Sequence, residues 1–124
     1  MLKPKVISQA LRQTLNDVVK AAMIMTSEGS LIAFAADTDK EATIYAAISA
    51  NIWNTYKKKN VYTELKYQIL HCEEGVIYIT NVGPMILCLV GNSKAINDLG
   101  ILKAKGEAIK SHLEEPLLQF AALG

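Results

Sequence analysis

The segment from Lys40 to Lys59 constrains the possible folds of this chain more than any other segment. It reads KEATIYAAISANIWNTYKKK and has the apolar spacing of a helix, but its charged residues stand at its two ends. An ordinary surface helix has one apolar stripe and one charged face. The large apolar side chains of this helix are Ile44, Tyr45, Ile48, Ile52 and Tyr56. Alanines occupy much of the remaining surface, so the pattern predicts a helix covered on more than one side, either by its own fold or by a second protein.

Length, composition and charge limit the class of protein. The 124 residues suffice for one domain, which we expect to span residues 1–124, and the 51% hydrophobic content is that of a globular chain. A net charge of +1 does not provide the basic surface that nucleic-acid binding needs, so we expect no nucleic-acid partner. The apolar run Met85–Val90 is far shorter than the roughly 20 residues of a membrane span, and the first residues lack the apolar core of a signal peptide. We therefore expect a soluble, intracellular protein.

Periodic apolar residues predict two further helices. The first covers about Pro4–Leu15, since proline suits the first turn of a helix. The second follows Ser93, which we expect to cap it, and ends at Pro116, with a short tail beyond. Its predicted packing seam consists of Ala95, Leu99, Leu102, Gly106, Ile109 and Leu113. Because glycine weakens a helix by about 1 kcal/mol relative to alanine, Gly106 on this seam predicts a close approach to another element.

Five segments have the composition of β-strands. They are Val18–Ser27, Ser30–Ala36, Leu65–Cys72, Val76–Val82 and Met85–Val90. Two continuous apolar runs, Ala21–Met25 and Met85–Val90, are typical of strands that are covered on both faces, so we expect them to be central neighbours. Turns with glycine join all strands but one pair, which predicts a largely antiparallel sheet. The order helix, two strands, helix, three strands, helix then predicts an α+β fold with helices on both faces of the sheet.

The alternating segment Leu65–Cys72 is expected at an edge of the sheet, because only one of its faces is consistently apolar. An edge strand has unpaired N–H and C=O groups and can pair with a strand of another chain. This segment follows the helix Lys40–Lys59 in the sequence. The helix and the strand together predict one continuous interface, in which two sheets join edge to edge beneath paired helices.

Motifs of catalysis and nucleotide binding are missing from the sequence. It contains no G-x-x-x-x-G-K-[ST], G-x-G-x-x-G or H-E-x-x-H pattern. His71 stands on a predicted strand and His112 on the exposed side of the last predicted helix, and a lone histidine is more often a satisfied or solvated side chain than a catalyst. The carboxylate pairs Glu73–Glu74 and Glu114–Glu115 fall at a predicted turn and near a predicted helix end, so we expect them to be solvated. The sequence therefore predicts no catalytic residue, no cofactor and no metal site.

Three further features have both a structural and a functional interpretation. Cys72 and Cys88 stand at apolar strand positions, which favours reduced thiols buried in the core over a disulfide or a metal site. The run Lys57–Lys59 complements the dipole at a helix C-terminus, and it is short for a membrane-binding cluster of about 4–8 basic residues. Trp53 could anchor an interface or belong to the core.

Short words spread over the full length of the chain stand in the same relative positions as in a known family. They are Met1–Lys5, Glu28–Leu31, Ala46–Ile48, Asn51–Trp53, Leu102–Lys105 and Leu113–Leu117. NIW on the central helix, with LKAK and LEEPL on the last, is the most specific combination. Together with the order of elements, these words resemble the roadblock/dynein light-chain family, and within it the roadblock subunits of Ragulator-type assemblies. The resemblance implies a roadblock-type α-β-β-α-β-β-β-α fold with a five-stranded, mainly antiparallel sheet.

The resemblance also implies partners. Members of the family pair through the central helix and the strand after it, here Lys40–Lys59 and Leu65–Cys72. The expected partner is a second roadblock-domain subunit. A lipidated subunit would hold such pairs on the cytoplasmic face of the late endosomal, lysosomal or vacuolar membrane, where the assembly anchors Rag-type GTPases for activation of TOR complex 1. The expected role of the chain is then that of a non-catalytic scaffold.

Two other functions stay open at this point. One is a roadblock homodimer that regulates a small GTPase or binds dynein. The other is a small ligand-sensing or hydrolytic domain, which would need a polar cavity.

If the resemblance holds for pairing, we expect the two sides of the central helix to contact different surfaces. Ile44, Ile48 and Ile52 should pack on the chain's own sheet. The residues expected at the partner interface are Ala46, Ala47, Ser49, Ala50, Trp53 and Asn54 on the helix, and Tyr67 and Ile69 on the edge strand.

Overall fold

The computed structural model of the chain describes residues 4–59, 66–72 and 75–123, and the side chains of residues 5–58, 66–72 and 75–115. The described elements follow the predicted order. They are α1 (Pro4–Arg12), β1 (Val19–Met25), β2 (Leu31–Ala35), α2 (Asp39–Lys59), β3 (Tyr67–Cys72), β4 (Gly75–Val82), β5 (Met85–Gly91), a 3₁₀-helix (Ser93–Asn97) and α3 (Leu99–Leu123). The predicted α+β class is confirmed.

The five strands form one sheet in the order β2-β1-β5-β4-β3. Every pair of neighbouring strands is antiparallel. The two strands with continuous apolar runs, β1 and β5, are neighbours in the middle of the sheet, and β3 lies at an edge, so both predicted placements are confirmed. All residues of β5 are buried, as expected for a strand that has helices on both sides.

Helices cover both faces of the sheet. α2 packs on β1, β2 and β5, while α1 packs on β1 and β2, and α3 packs on β4 and β5. Because successive side chains of a strand point to opposite faces, β5 contributes to two cores. Leu87 and Leu89 join the core under α1 and α3, whereas Cys88 and Val90 join the core under α2.

A β-bulge at Lys20 changes the direction of the side chains in β1. The pairing of β1 with β5 shifts between Val19 and Ala21. Residues two apart share a face in a regular strand, but Val19 belongs to the core under α1 and α3 and Ala21 to the core under α2. Bulges re-aim side chains in this way. The Lys20 Nζ lies 3.8 Å from Glu41 Oε1 and 5.9 Å from the centre of the Tyr45 ring, which links β1 to the start of α2.

The side chain of Thr38 caps the start of α2. The Oγ1 of Thr38 accepts a hydrogen bond of 3.0 Å from the backbone N–H of Glu41. Threonine followed by glutamate three residues later is the sequence signature of such a start. The acidic residues Asp39 and Glu41 in the first turn also complement the positive end of the helix dipole.

Gly106 lets α3 approach the sheet closely, as its place on the seam predicts. A Cβ atom at this position would overlap the ring of Tyr78 on β4. Tyr78 is fully buried in the core under α1 and α3. Burial, helped by the nearby charge of Glu107, raises the pKa of Tyr78 to about 12.

The C-terminal part of the chain differs from prediction in two ways. Asn92, not Ser93, caps the 3₁₀-helix, and its Oδ1 accepts a hydrogen bond of 2.9 Å from the N–H of Lys94. The helix α3 continues through Pro116, so the expected stop there is wrong. Proline inside a helix costs about 3 kcal/mol through one lost hydrogen bond and one clash. The leucines, glutamates and glutamine around it are good helix formers, and they favour continuation.

Candidate partner interface

α2 packs its small residues, not its isoleucines, on the sheet. Its buried residues are Ala42, Ala46, Ser49, Ala50 and Trp53. The exposed fraction is 49% for Ile44 and 44% for Ile48, and Ile52 is half-buried. The expected division of the helix is therefore wrong for Ile44 and Ile48. It is also wrong for Ala46, Ser49 and Ala50, which are buried against the sheet, whereas Ala47 is exposed.

The physical reason is the volume between helix and sheet. The sheet fills the core under α2 with large side chains, among them Met23, Met25 and Ile86, and Trp53 adds a further large group from the helix. Close packing then leaves space only for alanine and serine at the other inward positions. Helical spacing alone could not reveal this, because both sides of α2 are apolar at the same period. The sequence feature that indicates the small space under α2 is the pair of continuous apolar runs in β1 and β5.

The eight predicted interface residues separate into three groups. Ala46, Ser49, Ala50 and Trp53 are buried within their own chain, which leaves them almost no surface for a partner. Ala47, Asn54 and Tyr67 are exposed. Ile69 is half-buried and packs against the core under α1 and α3.

The inward side of α2 is held by specific polar contacts as well as by packing. The Oγ of Ser49 donates a hydrogen bond of 3.2 Å to the Sγ of Cys88 in the core. Burial raises the pKa of the Cys88 thiol to about 12, although the bond from Ser49 opposes the shift. The Nδ2 of Asn54 donates a hydrogen bond of 2.6 Å to the carbonyl of Ser27. Asn54 is thus exposed but engaged in holding α2 to the turn between β1 and β2.

Three of the six exposed large hydrophobic residues among the described side chains lie on α2. These three are Ile44, Ile48 and Tyr56, and the other three are Val6 on α1, Tyr67 on β3 and Ile96 on the 3₁₀-helix. Ile44 and Ile48 are one helical turn apart, and Ala47, Asn51 and Thr55 on the same side are also exposed. Full burial of an isoleucine contributes about 1.5–3 kcal/mol, so two half-exposed isoleucines leave a substantial part of this free energy to a partner. We call Ile44, Ala47, Ile48, Asn51 and Thr55 the outer face of α2.

β3 presents an edge that can accept another strand. It pairs with β4 from Tyr67 to Cys72, and in the described part of the chain no strand pairs with its other side. Proteins often protect such edges with proline or charged residues, but β3 reads YQILHC. A regular edge of this kind suits the addition of a strand from a partner.

Side-chain contacts hold β3 in place at its first residues. The ring of Tyr67 stacks on the ring of Tyr78 with 5.6 Å between their centres, and the Nζ of Lys103 lies 5.1 Å from the centre of the Tyr67 ring. The Oγ1 of Thr80 donates a hydrogen bond of 2.7 Å to the carbonyl of Lys66. These contacts connect the edge strand to β4 and to α3.

β3 and α2 border the same core. Leu70 of β3 packs against the buried residues under α2. Gln68, two positions earlier on the same face, has its Oε1 buried without a hydrogen-bond partner among the described residues. An unsatisfied buried acceptor costs about 1–3 kcal/mol. On the α2 side of the edge strand, the Oε1 of Gln68 therefore lacks a hydrogen-bond donor within the described part of the chain.

The other residues singled out for chemistry do not form a site in the described part of the chain. Cys72 is exposed because it stands at the end of the edge strand, so its predicted burial is wrong. Cys88 is buried and His112 is exposed, both as predicted, and His71 is exposed as well. Glu73–Glu74 lies outside the described residues, as do Met1 to Lys3 and Leu65.

No group of three or more histidine, cysteine, aspartate or glutamate side chains among the described residues could hold a metal ion. No helix among the described elements is long and apolar enough to cross a membrane.

An antiparallel five-stranded sheet between one long helix and two helices on the other face defines a three-layer α+β domain with an open edge and an apolar outer helix face. The family model of the Roadblock/LC7 domain matches residues 9–91. The chain belongs to the Roadblock/LC7 family, which confirms the resemblance and the fold inferred from the sequence.

Individual proteins extend the likeness over nearly the whole chain. The Ragulator complex protein LAMTOR2 homolog of Caenorhabditis elegans is 30% identical over 123 residues, which cover 98% of this chain and 97% of that protein. The Roadblock/LC7 domain from Streptomyces avermitilis superposes with a TM-score of 0.80 at 11% identity and covers 94% of this chain and 99% of its own. Myxococcus xanthus MglB superposes with a TM-score of 0.75 at 19% identity, with coverages of 90% and 86%. The two bacterial structures show that the fold is shared.

Proposed function

We propose that this chain is a non-catalytic adaptor subunit of a Ragulator-like complex and that it pairs with a second roadblock-domain subunit. The observation that carries the proposal is the outer face of α2, where Ile44 and Ile48 are 49% and 44% exposed. Near full-length similarity to a LAMTOR2 homolog of a Ragulator complex supports the type of assembly.

The proposed interface has a helical part and a strand part. The outer face of α2 packs against the corresponding helix of the partner, which buries Ile44 and Ile48. The free backbone groups of β3 pair with an edge strand of the partner, and the two sheets become one. Ala47, Asn54 and Tyr67 remain near this surface, whereas the buried residues Ala46, Ser49, Ala50 and Trp53 support it from beneath.

The proposed place of the pair in the cell follows from the Ragulator-like assembly. A separate lipidated subunit holds the pair on the cytoplasmic face of the late endosomal, lysosomal or vacuolar membrane. The assembly anchors Rag-type GTPases there for activation of TOR complex 1. In this role the chain contributes binding surfaces and no reacting group.

The test is the formation of a one-to-one complex with a second roadblock subunit. The two chains are expressed and purified separately and together, and light scattering measures the molar mass of each sample. Ile48→Asp should weaken the complex by about two orders of magnitude, because a buried unpaired carboxylate costs several kcal/mol. Ile96→Asp is the matched control, since Ile96 is 41% exposed but lies on the 3₁₀-helix.

Three results would contradict the proposal. One is a stable monomer that does not bind the roadblock partner. Another is an equal loss of affinity for the partner in Ile48→Asp and Ile96→Asp. The third is a homodimer that does not exchange its subunits with the partner, which would favour the alternative of a homodimer that regulates a small GTPase or binds dynein.

A further inference from the structure

α2 has two rows of residues that a second helix could follow. Both rows begin with Ile44 and Ile48, which are 49% and 44% exposed. One row continues at alternating steps of three and four residues to Asn51 and Thr55, which is the spacing of a coiled-coil seam. The other row continues in steps of four to Ile52, and steps of four residues form a ridge on the surface of a helix. We call Ile44, Ile48 and Ile52 the isoleucine ridge.

The two rows differ in what they offer to a partner. The seam is apolar only in its first half, because Asn51 and Thr55 are exposed polar residues whose side chains would lose their contacts with water on burial. The isoleucine ridge is apolar over its whole length. Among the described side chains, neither hydrophobic core includes any of its three isoleucines. The apolar surface that a partner can cover therefore follows the ridge and not the seam.

The isoleucine ridge crosses α2 obliquely toward the edge strand β3. A step of four residues turns about 40° further around the helix than one full turn. From Ile44, these steps lead away from the flank of Asn54 and toward the flank of Tyr45. Asn54 donates its hydrogen bond to the turn between β1 and β2, whereas Tyr45 lines a small cavity together with Cys72 at the end of β3. The ridge therefore runs toward the free edge of the sheet.

We propose that the isoleucine ridge, centred on Ile48, is the part of α2 that contacts the helix of the second roadblock subunit. This inference rests on the proposed pairing and names the residues that determine its affinity. A partner helix on the ridge would place large apolar side chains in the grooves beside it and would leave Asn51 and Thr55 in water. Because the ridge leads toward β3, the same partner can also reach the free backbone groups of the edge strand.

The test compares alanine variants of the full chain in complex with the second roadblock subunit. Ile44→Ala, Ile48→Ala and Ile52→Ala shorten the side chains of the ridge. Asn51→Ala and Thr55→Ala are the matched controls, because they change the second half of the seam. Each subunit carries one dye, and the loss of energy transfer on dilution measures the Kd of each complex. Circular dichroism checks that each variant is folded.

The expected losses of affinity follow the ridge. Ile48→Ala should raise the Kd by at least about tenfold, because it removes most of the apolar side chain at the centre of the contact. Ile44→Ala and Ile52→Ala should each raise the Kd by about three- to tenfold, since they lie one turn to either side. Asn51→Ala and Thr55→Ala should change it by less than about twofold, the effect of side chains that stay solvated.

A second measurement locates the contact in the wild-type chain, so that it does not depend on the folding of Ile52→Ala. Isoleucine methyl groups are isotope-labelled in this chain only, and filtered nuclear Overhauser effects report which of them lie near protons of the unlabelled partner. We expect such contacts for Ile44, Ile48 and Ile52. Ile96 on the 3₁₀-helix is the internal control and should show none.

The proposal is overturned if Asn51→Ala and Thr55→Ala weaken the complex as much as Ile52→Ala does. It is also overturned if the methyl groups of Ile52 show no contact with the partner. Either result, with the wild-type complex intact, would reject the ridge and leave the roadblock pairing in place. If the wild-type chain forms no complex with the second subunit, the pairing itself is rejected, and the ridge with it.

Discussion

At the scale of single residues, small side chains decide how closely the layers of this protein approach. Gly106 admits the ring of Tyr78, and Ala46, Ser49 and Ala50 bring α2 down onto the sheet. Large residues on the strands fill the space that these small ones leave. The stability of the chain should therefore be more sensitive to added atoms at these positions than to changes on the outer face of α2.

Gly106→Ala should destabilise the chain by about 1–3 kcal/mol, the usual cost of adding a methyl group to a filled core. The added Cβ would overlap the Tyr78 ring, which is buried and cannot move aside freely. Gly100→Ala is the control, because its Cβ would lie 3.9 Å from Asp98 Oδ1, which is an ordinary van der Waals contact, and helix propensity predicts a gain of up to about 1 kcal/mol. Urea unfolding measures both, and equal effects at the two glycines would contradict the close approach.

Stability should also fall at high pH. The pKa of Cys88 rises from an ordinary value of 9.0 to about 12, and that of Tyr78 from 10.0 to about 12. The folded state thus favours the protonated forms, so their contribution is complete below about pH 9 and is lost as the pH rises toward 12. One such group gives a slope of about 1.4 kcal/mol per pH unit.

Urea unfolding at several pH values measures this slope. Cys88→Ala removes one of the two groups and should make the dependence on pH shallower between pH 9 and 10, because in the unfolded chain the thiol, with a pKa of 9.0, ionises ahead of the tyrosine, with a pKa of 10.0. A slope that Cys88→Ala leaves unchanged in this interval would contradict the role of the buried thiol.

At the scale of elements, α2 is a helix with two apolar sides, one packed on its own sheet and one proposed to pack on a partner. Its first turn is set by Thr38 and Glu41, its body by the small residues on the sheet, and its later part by the bond from Asn54 to the turn before β2. The strand β1 adds Lys20 at its bulge. These contacts fix the rotation of α2 about its own axis and keep Ile44 and Ile48 outward.

Thr38→Ala should destabilise α2 by about 1 kcal/mol, because the N–H of Glu41 would lose its side-chain acceptor. Thr43→Ala is the matched control within the same helix. Its Oγ1 donates to the carbonyl of Asp39, and a bond of this kind does not cap the helix. Unfolding in urea with helix content followed by circular dichroism measures both variants. An equal loss in the two would mean that Thr38 does not act as a cap.

At the scale of the whole molecule, the two faces of the sheet are unequal in what they leave exposed. The α2 side ends in a helix with an apolar outer face, whereas α1 and α3 cover the other side of the sheet. The proposed pairing uses the α2 side and leaves the α1 and α3 side free.

Pairing should raise the thermal stability of the chain. A partner that binds only the folded state adds RT ln(1 + [L]/Kd), which is about 2.7 kcal/mol at 100 times the Kd. Adding increasing amounts of the second roadblock subunit should therefore raise the midpoint temperature of unfolding of the wild-type chain and of Ile96→Asp, but not that of Ile48→Asp. A midpoint that is independent of partner concentration in the wild type would contradict the pairing.

Local patterns of the sequence determined the type, order and approximate ends of the elements. They also determined which strands are central and which strand is the edge, because apolar runs and alternation report directly on how many faces of a strand are covered. Gly106 was identified in the same way, from its place on a helical seam. The family was inferred from short sequence motifs distributed along this order of elements.

The tertiary structure alone decided which side of α2 faces the sheet. Both sides are apolar, so the choice depends on the volume left by strand residues such as Met23 and Met25, which are far away in the sequence. The same holds for the bulge at Lys20, across which β1 changes the face that it presents to each core. Each of these features depends on contacts or spaces between elements, and no local period of the sequence encodes such distances.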